Sequence, residues 1–227
     1  MIYLFFIVVL LLAIIGPGVW VGRIMKKYGE PADRYRITGA GVARHLLDKL
    51  GMQSVQIETT DKGDHYDPQH KAVRLSAENH DGRSLTAITV AAHEVGHAVQ
   101  DARGYPPLRW RTRLVRSTRI IEKLGAGVLV VSPFLGILTR APILSLLTFA
   151  AGFLTLGTAA VVHMVTLPTE FDASFNRALP MLEEHRILKE PDRPHAAKIL
   201  KAAALTYVSA SLMSLVNIAR WIAILRR

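Results

Sequence analysis

Four long apolar runs alternate with strongly charged stretches along the 227-residue chain. Residues 2–22 (IYLFFIVVLLLAIIGPGVWVG) carry no charge. About 20 residues rising about 1.5 Å each cover the roughly 30 Å of a bilayer core, so this run predicts a membrane anchor. Gly16-Pro17-Gly18 reads as a kink or an early break in it. A cleaved signal peptide is the other reading, but no basic residue precedes the run and no small-x-small site follows it. The second run, 124–139, is short and contains Pro133. The third, 142–167, is longer, and only Arg140 and Pro142 interrupt the pair, which predicts a helical hairpin turning at the far membrane face. The fourth, 202–219, is diluted by Ser and Thr, so a fourth span and an interfacial or packed helix both fit. Its small residues (Ala203, Ala204, Ser209, Ala210, Ser211) suit close packing against other membrane helices.

Between the first two runs the periodicity shortens. Residues 38–50 predict a helix that Thr38 caps and Gly51 ends, with Val42, Leu46, Leu47 and Leu50 on one face. Residues 54–59 and 71–76 alternate like strands, and 71–76 would suit a peptide-binding edge. The loop between them, TDKGDHYDPQH, is rich in turn formers. Ser84 opens a helix to about Arg103, where Gly104 and Pro106-Pro107 stop it. Ile88, Ala91, Val95, Ala98, Val99 and Ala102 fall at spacings of three and four and form its buried face.

Charge adds an orientation. The net charge is +10, and the basic residues lie beside the apolar runs: Arg23, Lys26 and Lys27 after the first, Arg109, Arg111, Arg113, Arg116, Arg119 and Lys123 before the second. Without aromatic interleaving this pattern favours anionic lipid headgroups over nucleic acid. The positive-inside rule places 23–123 and 168–201 on the cytoplasmic side, although Arg226 and Arg227 run against it. The expected location is therefore the inner (plasma) membrane, multi-pass, with the charged segments facing the cytoplasm. Cysteine is absent, so disulfides and thiolate metal sites are excluded, and a metal must use His, Asp or Glu.

The candidate chemistry sits in the predicted helix at 84–103. His93-Glu94-Val95-Gly96-His97 spells H-E-x-x-H. Four residues advance a helix by about 400°, leaving the two imidazoles about 40° apart around the axis and one turn apart along it. Both can reach one zinc ion, while Glu94 lies on the adjoining edge, placed to act as general base. Gly96 in mid-helix costs about 1 kcal/mol relative to Ala. It is either a harmless packing glycine or the mark of another backbone approaching closely. The third ligand must return from elsewhere. After the third run the chain reads Leu167-Pro168-Thr169-Glu170-Phe171-Asp172-Ala173-Ser174, and Glu170 is the candidate, with Asp172 as partner to a metal-bound histidine. Both acids also fit a plain solvated role at headgroup level. His65, Tyr66 and His70 could serve an oxyanion, or DHYDP could simply organise a turn.

The stretches DHYDP (64–68), SLTAITVAAHEVGHAVQ (84–100) and LPTEFDASFNRAL (167–179) resemble the YugP-like bacterial membrane zinc metallopeptidases. The resemblance covers nearly the whole chain. The order of parts is also similar to HtpX-type membrane proteases. The resemblance implies one zinc ion on His93, His97 and Glu170, with Glu94 as base. One departure stands out: HtpX-type enzymes have an acid four residues after the glutamate ligand, where this chain has Ser174.

The expected fold is a mainly α membrane protein, with about four transmembrane helices and a small α+β zincin-like soluble portion. Its parts are an anchor at 1–22, the soluble portion with its basic juxtamembrane segment at 23–123, a transmembrane hairpin at 124–167, the ligand-bearing segment at 168–201, and a fourth transmembrane or membrane-packed helix at 202–227. The expected function is zinc-dependent hydrolysis of peptide bonds in peptide or protein substrates, membrane proteins among them. A zinc-stabilised membrane adaptor that cuts nothing is the alternative. The lipid bilayer is the expected surroundings and nucleic acid is not an expected partner.

Overall fold

A computed structural model describes residues 2–216, though not every side chain within the long helices. Along the chain run α1 (Ile2–Tyr28), α2 (Gly39–Lys49), β1 (Gln56–Thr59), β2 (His65–Asp67), β3 (Ala72–Leu75), α3 (Ala77–Asp81), α4 (Leu85–Ala102), α5 (Pro106–Thr139) and α6 (Pro142–Phe171). A π-helical segment (Asp172–Ala178), α7 (Leu179–Glu184), a 3-10 turn (Glu190–Asp192) and α8 (Arg193–Val216) follow. The chain divides into two compact units: residues 1–16, 110–166 and 207–227 form one, and 17–109 and 167–206 form the other.

Helices form in all four apolar runs among the described residues. Among the described residues, however, no helix is long and apolar enough to cross a membrane. The expectation of about four transmembrane helices is corrected accordingly. The end of the first run and the start of the fourth pack instead within the second unit, together with the residues beside them. Val21 of α1 is buried there, with Ile24 and Met25 packed against the core. Ala196, Ile199, Leu200, Ala202 and Ala204 of α8 are fully buried in the same unit. The start of α5 is interrupted by Arg109, Arg111 and Arg113. Much of runs 2–22, 124–139, 142–167 and 202–219 lies outside the described side chains.

Local signals set the elements of the second unit. Thr38 has extended backbone and accepts a hydrogen bond from the Gly41 amide at 3.0 Å, which starts α2. Such a cap is worth about 1 kcal/mol. Gly51 follows α2 with φ +70°, a conformation that favours glycine. Val42, Leu46 and Leu47 point from α2 into the core. Ser84 caps α4 in the same manner, accepting from the Ala87 amide at 3.1 Å.

The sheet departs from the expected pair of strands. Its order is β1-β3-β2, with β1 parallel to β3 and β2 antiparallel to it. The polar loop therefore contains a strand of its own. A parallel pair needs a crossover, and residues 60–71 supply it. As a result β3 is the central strand, not an edge, and it cannot accept an added peptide strand.

The core lies around α4, which packs against α2, α3, β2, β3, α7 and the π-helical segment. Every residue from Leu85 to Gln100 is buried, so α4 is a central helix and not one with a single buried face; Ala102 is exposed. Leu46, Leu47, Leu75, Leu182, Ile199 and Leu200 are fully buried around it, as are its own Leu85 and Ile88. A helix enclosed in this way carries its polar side chains into the interior, where each requires a partner or a ligand.

A second buried polar group fastens the chain before α2 to the start of α8. Asp192 is fully buried, paired with the Arg34 guanidinium and accepting from the Tyr35 hydroxyl at 2.6 Å. The Arg34 hydrogen bond outweighs burial and holds the Asp192 carboxyl below its ordinary value of 3.8.

Candidate metal centre

α4 places His93 and His97 one turn apart, each only 3% exposed. Their rings meet edge to face, with centroids 4.8 Å apart and planes at 80°. Glu170, near the end of α6, is fully buried against them. Its Oε2 lies 3.3 Å from His93 Nε2 and 3.2 Å from His97 Nε2. All three ligand atoms lie within 4.8 Å of one another, so the group could hold a metal ion. Glu94 is buried on the same helix, about 100° around the axis from His93.

Hydrogen bonds on the far sides of the rings determine what these atoms can do. The Gln100 amide nitrogen donates to the Thr169 carbonyl at 2.8 Å and to Asp172 Oδ2 at 2.7 Å. Its amide oxygen therefore accepts, and its partner is His97 Nδ1 at 2.9 Å. A proton on Nδ1 leaves Nε2 of neutral His97 as a bare lone pair. His93 follows the same logic. The Ser174 hydroxyl donates to the Leu200 carbonyl at 3.2 Å and lies 3.0 Å from His93 Nδ1, so it accepts from that N–H. Two imidazole Nε2 atoms and a carboxylate oxygen thus converge in a buried space. Three converging electron-pair donors repel unless a cation sits among them, so the donor set fits zinc.

The approach of Glu170 to α4 depends on backbone geometry. Pro168 lies inside α6, where it removes an amide donor and disturbs the turn before it. The π-helical segment begins immediately after Phe171, and Ala173, Ser174 and Ala178 are its buried residues. Such segments shift helical register and recur at functional sites. Here the shift places Ser174 on His93 within a few residues of Glu170.

Asp172 does not take the expected place on an imidazole. Its described hydrogen bonds come from Gln100, from Arg177 at 2.7 Å and from Asn176 at 3.1 Å. Burial opposes its charge, but these donors prevail and hold its carboxyl below the ordinary range. Ser174, standing where HtpX-type enzymes have an acid, makes the direct contact instead. Sequence reasoning assigned no role to Gln100 and noted Ser174 only as the residue standing where HtpX-type enzymes have an acid. Gln100 carried a signal, since it lies three residues from His97 and so on a neighbouring helical position. For Ser174 the resemblance marked the position, but only the π-helical register shows that it meets His93.

DHYDP is structural. Asp64 accepts from the Ser76 amide at 2.7 Å, the Ser76 hydroxyl at 3.0 Å and the Asn79 amide at 2.8 Å, fastening the start of α3. The Tyr66 hydroxyl donates to Asp101 at 2.7 Å, and burial raises its pKa. His70 pairs with Asp67 at 2.7 Å and His65 with the Gly63 carbonyl at 2.8 Å, so neither is directed to the metal centre. Thr89 and Thr169 are fully buried, and their hydroxyls have no hydrogen-bond partner among the described residues.

Residues 2–226 match the family model described as "Putative neutral zinc metallopeptidase". The chain belongs to this family of zinc metallopeptidases. It is also 33% identical over 222 residues to the Bacillus subtilis (strain 168) protein named "Putative membrane protease YugP", covering 95% of this chain and 94% of that one. No solved structure matches the chain. Zinc is thus the family's metal, and His93, His97 and Glu170 form the candidate site for it.

Proposed function

We propose that this chain is a zinc metalloendopeptidase, with zinc held by His93, His97 and Glu170 and Glu94 acting as general base. The observation that carries this reading is the convergence of two Nε2 lone pairs on Glu170 Oε2 at 3.2–3.3 Å, inside a zinc-metallopeptidase family. When bound, zinc supplies Lewis-acid polarisation of a peptide carbonyl and lowers the pKa of water toward about 7. Glu94 takes the proton of the attacking water and delivers it to the leaving amine. His93 and His97 are held in orientation, because Ser174 and Gln100 accept from their Nδ1–H groups. Glu170 offsets part of the metal's charge. The stretches 23–109 and 168–201, both within the second unit, act as one catalytic part, since each contributes ligands.

The substrates are peptides or proteins. We also infer association with a membrane, supported by the relative named a membrane protease and by basic segments flanking the apolar runs. Membrane fractionation of cells producing the full chain tests this. Recovery in the high-salt-washed soluble fraction would refute it.

Glu94→Gln tests the catalytic reading. The variant should keep zinc and lose cleavage of a casein or peptide substrate. Undiminished cleavage would remove Glu94 from its role, and a wild-type chain that binds zinc but cleaves nothing would favour a non-catalytic adaptor.

A further inference from the structure

Gln100 lies outside the H-E-x-x-H motif, yet its side chain touches both halves of the metal centre. It is fully buried, and its three described hydrogen bonds occupy both ends of the amide. Its oxygen faces His97 Nδ1 on α4, while its nitrogen reaches the Thr169 carbonyl and Asp172 on the segment that carries Glu170. Thr169 and Asp172 flank Glu170 closely on either side in sequence. Asp172 is held in turn by Arg177, whose guanidinium lies 5.4 Å from the Tyr105 ring centroid.

We propose that Gln100 is a positioning residue that fixes the metal-binding tautomer of His97 and clamps the Glu170 segment to α4, so that the three ligands converge before the metal arrives. The inference rests on reading His93, His97 and Glu170 as the ligands. Only a carboxamide meets both demands. A carboxylate could accept from His97 but would set a negative charge against Asp172 and leave the Thr169 carbonyl without its donor. An apolar side chain of similar size would leave His97 free to place its proton on either nitrogen, would remove the side-chain donor to the Thr169 carbonyl, and would take one of the three described donors from Asp172.

The test compares the full chain with Gln100→Met, Gln100→Glu and the double variant Gln100→Glu/Asp172→Asn. Zinc alone is titrated against a competing chelator, and the visible absorption of the cobalt(II)-loaded protein is recorded. Thermal unfolding of each variant without added metal shows whether it folds. Gln100→Met should lower zinc affinity about 10–100-fold and shift the cobalt bands, as loss of an orienting partner does. Gln100→Glu should be impaired likewise. Adding Asp172→Asn should restore much of the affinity, because the new amide can donate to the new carboxylate. A general loss of packing would not be rescued in this way. Folded Gln100→Met with undiminished zinc affinity and unchanged cobalt bands would overturn the proposal. Should Gln100→Met not fold, absence of rescue in the double variant would overturn it instead. Glu170→Ala separates the underlying reading. If that variant keeps full zinc affinity, the ligand set is wrong and the proposal falls with it; if it loses zinc while Gln100→Met does not, only the role of Gln100 falls.

Discussion

A Cβ atom placed on Gly96 would lie 2.6 Å from the carbonyl oxygen of Ala173. The obstacle is backbone, so it cannot swing aside as a flexible side chain can. Glycine in mid-helix costs α4 about 1 kcal/mol relative to alanine, yet its missing side chain lets the π-helical segment lie directly on the H-E-x-x-H turn. Gly96→Ala should therefore destabilise the protein despite its better helix propensity, by about 1–3 kcal/mol, as overpacking does. It should also weaken zinc binding, since Ala173 lies between Glu170 and Ser174. Thermal unfolding and chelator competition measure the two effects. A raised melting temperature would show that the segment can withdraw without loss.

Removing Glu170 and removing Glu94 should have opposite signatures. Glu170→Ala should release the metal, as judged by metal analysis of the purified protein. Glu94→Gln should retain it and lose about 10²–10⁴-fold in cleavage rate, the usual contribution of a general base. Equal zinc loss in both variants would place Glu94 in the coordination sphere.

Thr89→Val should leave stability unchanged or raise it by up to about 1 kcal/mol. Its hydroxyl is buried without a described partner, and valine keeps the branched shape while removing the unmet polar group. Chemical denaturation measures the change. A loss above about 1 kcal/mol would show that the hydroxyl makes a hydrogen bond that matters.

The charged groups of the sheet set an acid limit. Asp67 is partly buried, which opposes its charge. Hydrogen bonds from the His70 side chain and from the Gln69 and His70 amides outweigh this, and its pKa falls from 3.8 to about 2. Asp192 is lowered in the same direction by Arg34. For a carboxylate depressed in the folded state, the added stability is complete above the unfolded value near 3.8 and disappears as pH falls through about 2. Unfolding free energy should therefore drop between about pH 4 and pH 2, by roughly 1–2 kcal/mol for Asp67. In Asp67→Asn that slope should be shallower than in the unaltered chain. Acid release of metal is common to both and cancels in the comparison. Parallel curves would refute the assignment.

The residues also show why some features were legible and others were not. The caps Thr38 and Ser84, the turn at Gly51 and the one-turn spacing of His93 and His97 each involve residues within about one helical turn, so the linear pattern contains all the information they need. Glu170 could be proposed because an H-E-x-x-H zinc site leaves a ligand to be found, and an acid-bearing segment follows the third apolar run. Its burial against His97 spans 73 positions of sequence, and no local pattern encodes that. Comparable separations hid the contact of Ser174 with His93 and those of Gln100 with Thr169 and Asp172, and they misdirected Asp172 toward an imidazole. The reading of Gly96 as a point of close backbone approach came from its helical cost, but the approaching residue could not be named.

From the sequence alone came the local elements, the paired imidazoles with their adjacent carboxylate, and the exclusion of thiolate chemistry. These depend on side-chain type and short-range spacing. Tertiary structure decided that β3 is central, that α4 is enclosed on all sides, and that Ser174 and Gln100 hold the imidazoles. It also decided that apolar stretches of α1 and α8 pack within the metal-bearing unit. An apolar run states only that its surface leaves water; whether lipid or protein receives that surface depends on what the rest of the chain brings against it.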